Sequence, residues 1–350
     1  MSVPISLALQ GGGAHGAFTW GVLDRLLDED DLRFERISGT SAGALNGAAF
    51  ASGYAQGGRE GARKNLALLW QKVAQAGSLM TLFHLPLRKP GLGVWDDALP
   101  LTSPYQTNPL AIEPLRYILH SVVDVDALRN PAAPELYVNA VNVQSGHSRV
   151  FGPADISIPA LMASACPPFM FQAVPIDGVP YWDGSYAGNP MLWPLFAATR
   201  DLDLLLVELT PLFRPETPTT AKNILNRINE IASTAGLVAE LRAIGFMNQL
   251  AAEAAAEPHT RIRTHVISLP ETMEETEPST KRTVGALLFQ SLHEHGRRAC
   301  GDWLDAHKRS LGVRSTVDIG KRYLAPHEQQ PGSAITPYAQ LRGAPPCVDR

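Results

Sequence analysis

Two glycine clusters, set close together, constrain this chain most. Gly11-Gly12-Gly13-Ala14-His15-Gly16 follows the apolar run Ile5-Ser6-Leu7-Ala8-Leu9. Gly39-Thr40-Ser41-Ala42-Gly43 follows a stretch that holds Phe34 and Ile37. Each cluster leads into a helix-like pattern: Trp20, Leu23, Leu26 and Leu27 after the first, Ala44, Leu45, Ala48 and Ala49 after the second. Residues 5–9 read as a short buried strand. Two strand–turn–helix units in succession predict a parallel sheet whose first two turns meet at its C-terminal edge, where sites in open α/β sheets lie.

The second cluster is a G-x-S-x-G element. Such an element puts a serine on a tight turn between strand and helix, with its hydroxyl exposed above the sheet. Glycine at Gly39 and Gly43 removes the collisions that side chains would make there. The first cluster gathers backbone N–H groups at a helix N-terminus and so predicts an anion site. Two ligands suit it. One is a dinucleotide pyrophosphate, because the spacing is also G-x-G-x-x-G, with Asp30 and Asp31 downstream. The other is the oxyanion of an acyl-transfer intermediate. The serine turn favours the second. An acyl hydrolase needs both elements side by side, whereas a dinucleotide fold has no use for a strained serine after its second strand.

Composition narrows the classes. The 350 residues are long enough for one large α/β domain, with or without an appendage. Formal net charge is −4, with no Lys/Arg cluster, so nucleic acid is not an expected partner. No run of about 18 apolar residues occurs, and the N-terminus lacks the pattern of a signal peptide, so a cytoplasmic location is expected. Cys166, Cys300 and Cys347 are too sparse for a disulfide framework and read as reduced thiols. The ten histidines show no metal-ligand spacing and no acidic loop suggests calcium. No metal or other cofactor is expected.

Along the chain, helices are expected over 57–79, 110–120, 158–165, 219–257 and 280–309, and strands over 135–143, 203–209 and 263–269. Residues 148–151 read as the partner of a hairpin. Residues 81–107, with four prolines and many apolar side chains, read as a cap over an acyl-chain groove or as an ordinary packed loop. The 219–257 stretch has apolar residues near helical spacing and a polar face of mixed sign, which favours docking on the sheet over lying on a membrane. Asp183 opens a glycine turn, Asp183-Gly184-Ser185, where an Asx turn or helix cap is the ordinary role.

GGGAHG at 11–16, GTSAG at 39–43 and DGS at 183–185 together resemble the patatin-like phospholipase family in order and spacing. The surrounding ALQGGGAHGAFTWGVLDRL, ISGTSAGALNGAAFASG and ASACPPFMFQAVPIDGVPYWDGSYAGNP are similar to family sequence. The resemblance covers residues 5–209 firmly and the remainder weakly. It implies a three-layer α/β fold with a central, mostly parallel sheet flanked by helices. It implies a catalytic core over 1–210 with a helical and strand extension packed on it over 211–325, while the Pro- and polar-rich composition after Gly320 reads as a poorly ordered tail over 326–350. It implies a Ser–Asp dyad without a catalytic histidine: Ser41 as nucleophile and Asp183 as base. The N–H groups of Gly11, Gly12, Gly13 and Ala14 would hold the oxyanion, with that of Ala42 adding to them. Gly16, Gly39, Gly43, Gly184 and Ser185 complete the motifs.

Burial beside Tyr181 and Trp182 would raise the Asp183 pKa and improve it as a base. Two positions depart from the family pattern. Ser185 stands where glycine or alanine is usual, and its hydroxyl can bond Asp183 and lower its basicity. His15 stands where many relatives carry Arg or Lys. The expected activity is hydrolysis of lipid acyl esters, with a lipid or acyl ester as partner and transient contact with a membrane surface. Alternatives are a histidine triad using His147, His84 or His293, a polyester substrate such as polyhydroxyalkanoate, a lipid-binding protein of the same fold without turnover, and a dinucleotide-dependent dehydrogenase.

Overall fold

A computed structural model describes residues 2–84, 103–107, 112–168, 170–197, 201–253, 261–270 and 285–325. Most of the 81–107 segment and all of the 326–350 segment therefore lie outside the described residues. The chain opens with β1 (Val3–Leu9), α1 (Gly16–Leu26), β2 (Leu32–Gly39) and α2 (Ala42–His84), the last broken at Gly57 and Gly58. Then come α3 (Pro104–Thr107), α4 (Glu113–Val122), α5 (Val125–Leu128), β3 (Glu135–Asn142), β4 (Ser148–Phe151) and α6 (Ile158–Ser164). β5 (Val174–Ile176), β6 (Val179–Asp183), α7 (Trp193–Phe196), β7 (Asp201–Glu208), α8 (Ala221–Glu253), β8 (Arg261–Ser268) and α9 (Ala286–His307) complete it.

Among the described residues, eight strands form one sheet in the order β5-β6-β3-β2-β1-β7-β8, with β4 also on β3. β3, β2, β1, β7 and β8 run parallel; β4, β5 and β6 run antiparallel to their neighbours. Strands buried on both faces read as continuous apolar runs, as β7 does from Leu202 through Val207, interrupted only by Asp203. The two faces pack differently. Ile5, Leu7, Leu9, Leu205 and Val207 meet α1, α2 and α9; Ala8, Leu204 and Leu206 meet α7 and α8 through Leu195, Leu237 and Leu241. This is a three-layer α/β fold. Residues 211–325 supply a strand of the central sheet and a helix to each layer.

Registers set the height of the site. Leu9 of β1 lies opposite Gly39 of β2 and Val207 of β7. Gly39 lies opposite Val138 of β3, and Ala140, two residues on, lies opposite Asp183 of β6. Both glycine clusters and Asp183 therefore reach the same level of the sheet.

Helix α9 crosses α1 with no side chain between them. A Cβ on Gly21 would stand 2.0 Å from the carbonyl oxygen of His293, and one on Gly296 2.1 Å from that of Phe18. Ion pairs lace the same contact. Asp24 accepts from His293 Nε2 at 2.9 Å and from Arg297 Nη1 at 2.7 Å, and it also pairs with Arg63. Burial pushes the Asp24 carboxyl up, but the bonds from His293 and Arg297 and the charge of Arg63 outweigh it and hold it below its usual range. Among the described residues, no helix is long and apolar enough to cross a membrane.

Two glycines of α9 are predicted to respond oppositely to alanine. Gly296→Ala forces backbone apart and lowers stability by about 1–3 kcal/mol. Gly301→Ala meets nothing closer than Arg25 Nε at 3.8 Å and raises stability by up to about 1 kcal/mol through helix propensity. Urea midpoints of the two variants check both signs.

Candidate active site

The site is built on the backbone before any functional side chain is placed. At the end of β1 the Gln10 side chain accepts from the amides of Leu209 and Thr210 at 2.6 and 2.9 Å, fixing the end of β7. The Thr40 amide bonds the Leu9 carbonyl at 3.2 Å, fixing the end of β2. Helix α2 starts at once, with Gly43 N–H on the Thr40 carbonyl and Leu45 N–H on that of Ser41. Ser41 takes φ +53° at this corner, one of two described non-glycine residues with a positive value. For a residue with a side chain that conformation is strained, and such strain concentrates at functional positions.

A buried amide ties the serine turn to the aspartate turn. Asn139 of β3 accepts from the Thr40 hydroxyl at 2.5 Å and donates to the carbonyls of Gly184 and Gly188 at 3.0 Å each. Helix α6 closes the far side. Its Ser164 hydroxyl accepts the Ser41 amide at 3.0 Å, and the Cys166 carbonyl just beyond accepts the Asp183 amide at 3.0 Å.

Between these holds, Ser41 and Asp183 face each other closely enough for the serine side chain to lower the Asp183 pKa. Asp183 is 2% exposed. Burial raises its pKa to about 6, against the lowering effect of the bonds from Ser185 and of the Ser41 side chain. Ser185 donates twice to the same oxygen, from its amide at 2.9 Å and its hydroxyl at 2.7 Å. Asp183 thereby also caps the 3₁₀ turn Gly184–Tyr186.

Both groups line a cavity of about 400 Å³. Gly11, Gly12, Gly13 and Ala14 line it too. The Gly11 amide, read from sequence as an anion donor, is instead held by Asn189 Oδ1 at 2.6 Å, and Asn189 Nδ2 returns a bond to the Gly11 carbonyl at 3.1 Å. That pair anchors the loop. The amides of Gly12, Gly13 and Ala14 have no acceptor among the described residues.

Residues 7–196, more than half of the chain, match the family described as patatin-like phospholipase. The chain belongs to the patatin-like phospholipase family. Family membership supports hydrolysis of lipids as its activity. Comparison with curated proteins gives no match. Among solved structures, the chain is similar to VipD from Legionella pneumophila, at 12% identity over 87% of this chain and 67% of that one, with a TM-score of 0.39. It is similar to human GIVD cytosolic phospholipase A2 in complex with methyl gamma-linolenyl fluorophosphonate, at 12% identity over 89% and 60%, with a TM-score of 0.41. The third is the heterodimeric ExoU–SpcU complex of the type III secretion system of Pseudomonas aeruginosa, at 16% identity over 92% and 58%, with a TM-score of 0.37. The chain spans less than two thirds of the length of the second and third of these.

Several residues named from sequence lie elsewhere in this patatin-like fold. His293 is on the α1–α9 contact, bound to Asp24 and packed on Trp20 at 3.9 Å. His147 is exposed in the turn between β3 and β4, and the side chain of His84 lies outside those described. Neither His147 nor His293 lines the cavity. Asp31 sits where its carbonyl accepts the Val3 amide, at the opposite end of β1 from the glycine loop, and Asp30 is exposed. Neither Asp30 nor Asp31 therefore stands near that loop. Asn139, Asn189 and Ser164, which hold the site together, carried one signal in the sequence: Asn139 is a polar residue inside an otherwise apolar strand pattern.

Ser185→Ala removes one of the two donors to the Asp183 oxygen. Losing a bond to the charged form raises the carboxyl pKa further above 6. Following the Asp183 carboxyl by carbon NMR across pH should show its midpoint moving upward.

Proposed function

We propose that the protein is a serine acyl hydrolase that cleaves lipid acyl esters through a Ser41–Asp183 dyad. The observation that carries this reading is a strained serine that faces the same cavity as a buried carboxylate and acts on its pKa. In the proposed reaction Ser41 Oγ attacks the ester carbonyl as Asp183 takes its proton. The amides of Gly12, Gly13 and Ala14, at the start of α1, stabilise the oxyanion that forms. Asp183 then returns the proton to the departing alcohol and leaves an acyl group on Ser41. Water, deprotonated by Asp183, attacks that acyl-enzyme; the acyl group leaves as the free acid and Asp183 returns the proton to Ser41 Oγ.

Electrostatics fit these roles. A carboxyl with a pKa of about 6 is ionised at neutral pH yet basic enough to accept a proton. Apolar lining from Leu45, Leu69, Trp70, Val73 and Phe289 suits an acyl chain. Within the family's range this reading places the activity at phospholipase A-type or esterase cleavage, without a cofactor.

The expected result for Ser41→Ala is a loss of roughly 10³-fold or more in p-nitrophenyl butyrate hydrolysis, with an unchanged circular dichroism spectrum. Wild type should gain one fluorophosphonate adduct, on Ser41, and its kcat/KM should fall as pH drops through about 6. A variant that keeps its activity and its labelling would refute the assignment.

A further inference from the structure

Helix α8 is inside out where it borders the cavity. A helix on a core normally turns its apolar stripe inward and its polar face to water. The later turns of α8 do so, with Leu237, Leu241 and Ile244 buried. Its first turns do the reverse. Asn226, Asn229, Glu230 and Ser233, at helical spacing i, i+3, i+4 and i+7, line the cavity with Ser41 and Asp183. On the opposite side Ile224, Ile228 and Ile231 are 42%, 55% and 55% exposed.

The helix is fixed in that orientation from behind. A Cβ on Gly236 would stand 2.6 Å from the Ala187 carbonyl oxygen, so α8 abuts the loop that follows Asp183. The Glu240 carboxylate accepts the amides of Leu192 and Trp193 at 2.8 and 2.7 Å. The Tyr186 hydroxyl reaches Asn229 Oδ1 at 3.4 Å. These contacts hold a polar wall in the same cavity as the serine and the apolar lining.

The chemistry of the polar wall is specific. Among the described lining residues the acids are Asp183 and Glu230, and none is Lys or Arg. Arg214 and Arg227 bind Glu230 at 2.9 and 3.2 Å without lining the cavity themselves. A phosphate entering here would lose water, find no lining cation because Arg214 and Arg227 are taken up by Glu230, and approach the Asp183 carboxylate, an arrangement that is costly. A neutral alcohol with free hydroxyls would find side-chain amides that donate and accept.

We propose that this face of α8 is the leaving-group subsite and that it selects esters of uncharged, hydroxyl-bearing alcohols, such as the glycerol of a monoacylglycerol. The inference rests on the acyl-hydrolase reading and adds to it the class of alcohol released. Asn226 and Asn229 are the specificity-determining residues. Sites built to hydrogen-bond a substrate hydroxyl discriminate strongly, because their polar groups are left unpaired by the wrong ligand.

The test compares monooleoylglycerol with its phosphate ester, oleoyl lysophosphatidic acid, in the same neutral detergent micelles, with p-nitrophenyl butyrate as a reference ester. Wild type should favour monooleoylglycerol by about tenfold or more in kcat/KM. Asn229→Leu should lower kcat/KM for monooleoylglycerol by at least about fivefold more than for the reference ester. Asn229→Arg should move the ratio toward the phosphate ester. Equal use of the two lipids by wild type overturns the proposal, as does a ratio that neither variant moves, while hydrolysis of the reference ester leaves the acyl-hydrolase reading standing. Absence of hydrolysis of all three, with no fluorophosphonate adduct, removes both readings together.

Discussion

Backbone contact at the tops of β1 and β2 is the constraint on which the rest depends. A Cβ on Gly43 would lie 2.1 Å from the Leu9 carbonyl oxygen, and one on Gly11 2.7 Å from Ser41 Cβ. One on Gly39 would lie 2.6 Å from the Gly43 carbonyl oxygen. Three glycines let the second helix begin against the end of the first strand. Only because that gap is closed does Ser41 stand over the sheet beside the glycine loop. The side-chain chemistry is secondary to this; it acts within a space that main-chain packing has already fixed.

The aspartate arrives by a different route. Its strand runs antiparallel to β3, so it ends part-way along that strand instead of at its tip. Asn139 converts this arrangement into a fixed distance, with one end of its amide on the serine turn and the other on the aspartate turn. Buried amides that satisfy both donors and acceptors in this way rigidify a core and specify one arrangement of it. Asn189 does the same for the glycine loop. Two asparagines thus orient Ser41, the Asp183 carboxylate and the glycine-loop amides relative to one another.

Much of this was legible in the residues themselves. The glycine clusters announced two strand–turn–helix corners, and the long apolar runs announced strands of a buried parallel sheet. Asp183 could be singled out only with the help of resemblance, since an Asp-Gly pair alone most often marks a turn, which it also does here. Asn139 stood out only as a polar residue in an apolar strand pattern, and what the asparagine clamps hold was not legible. Their partners lie 45 to 178 positions away in sequence, and no local pattern encodes such a pairing. Helix α8 was half legible. Its apolar periodicity, with a polar face of mixed sign, implied docking on the sheet, and Leu241 of that stripe is buried there. The same periodicity gave no sign that the helix turns its polar side inward over its first turns, because a periodicity has no absolute sense of which face meets the protein.

The buried carboxyl has a consequence for the molecule as a whole. Its pKa of about 6 in the fold, against the ordinary carboxyl value of 3.8, means that the native state binds its proton more tightly than the unfolded chain does. The native state gains from this at low pH and loses it as pH rises toward 6, after which the deficit stays at roughly 3 kcal/mol. At neutral pH the fold therefore carries a permanent thermodynamic handicap at the residue proposed as its base. Directed evolution for heat resistance alone would drift toward neutral amides at this position, enriching sturdy but inert proteins, so robustness is a misleading surrogate for competence in any screen of this chain.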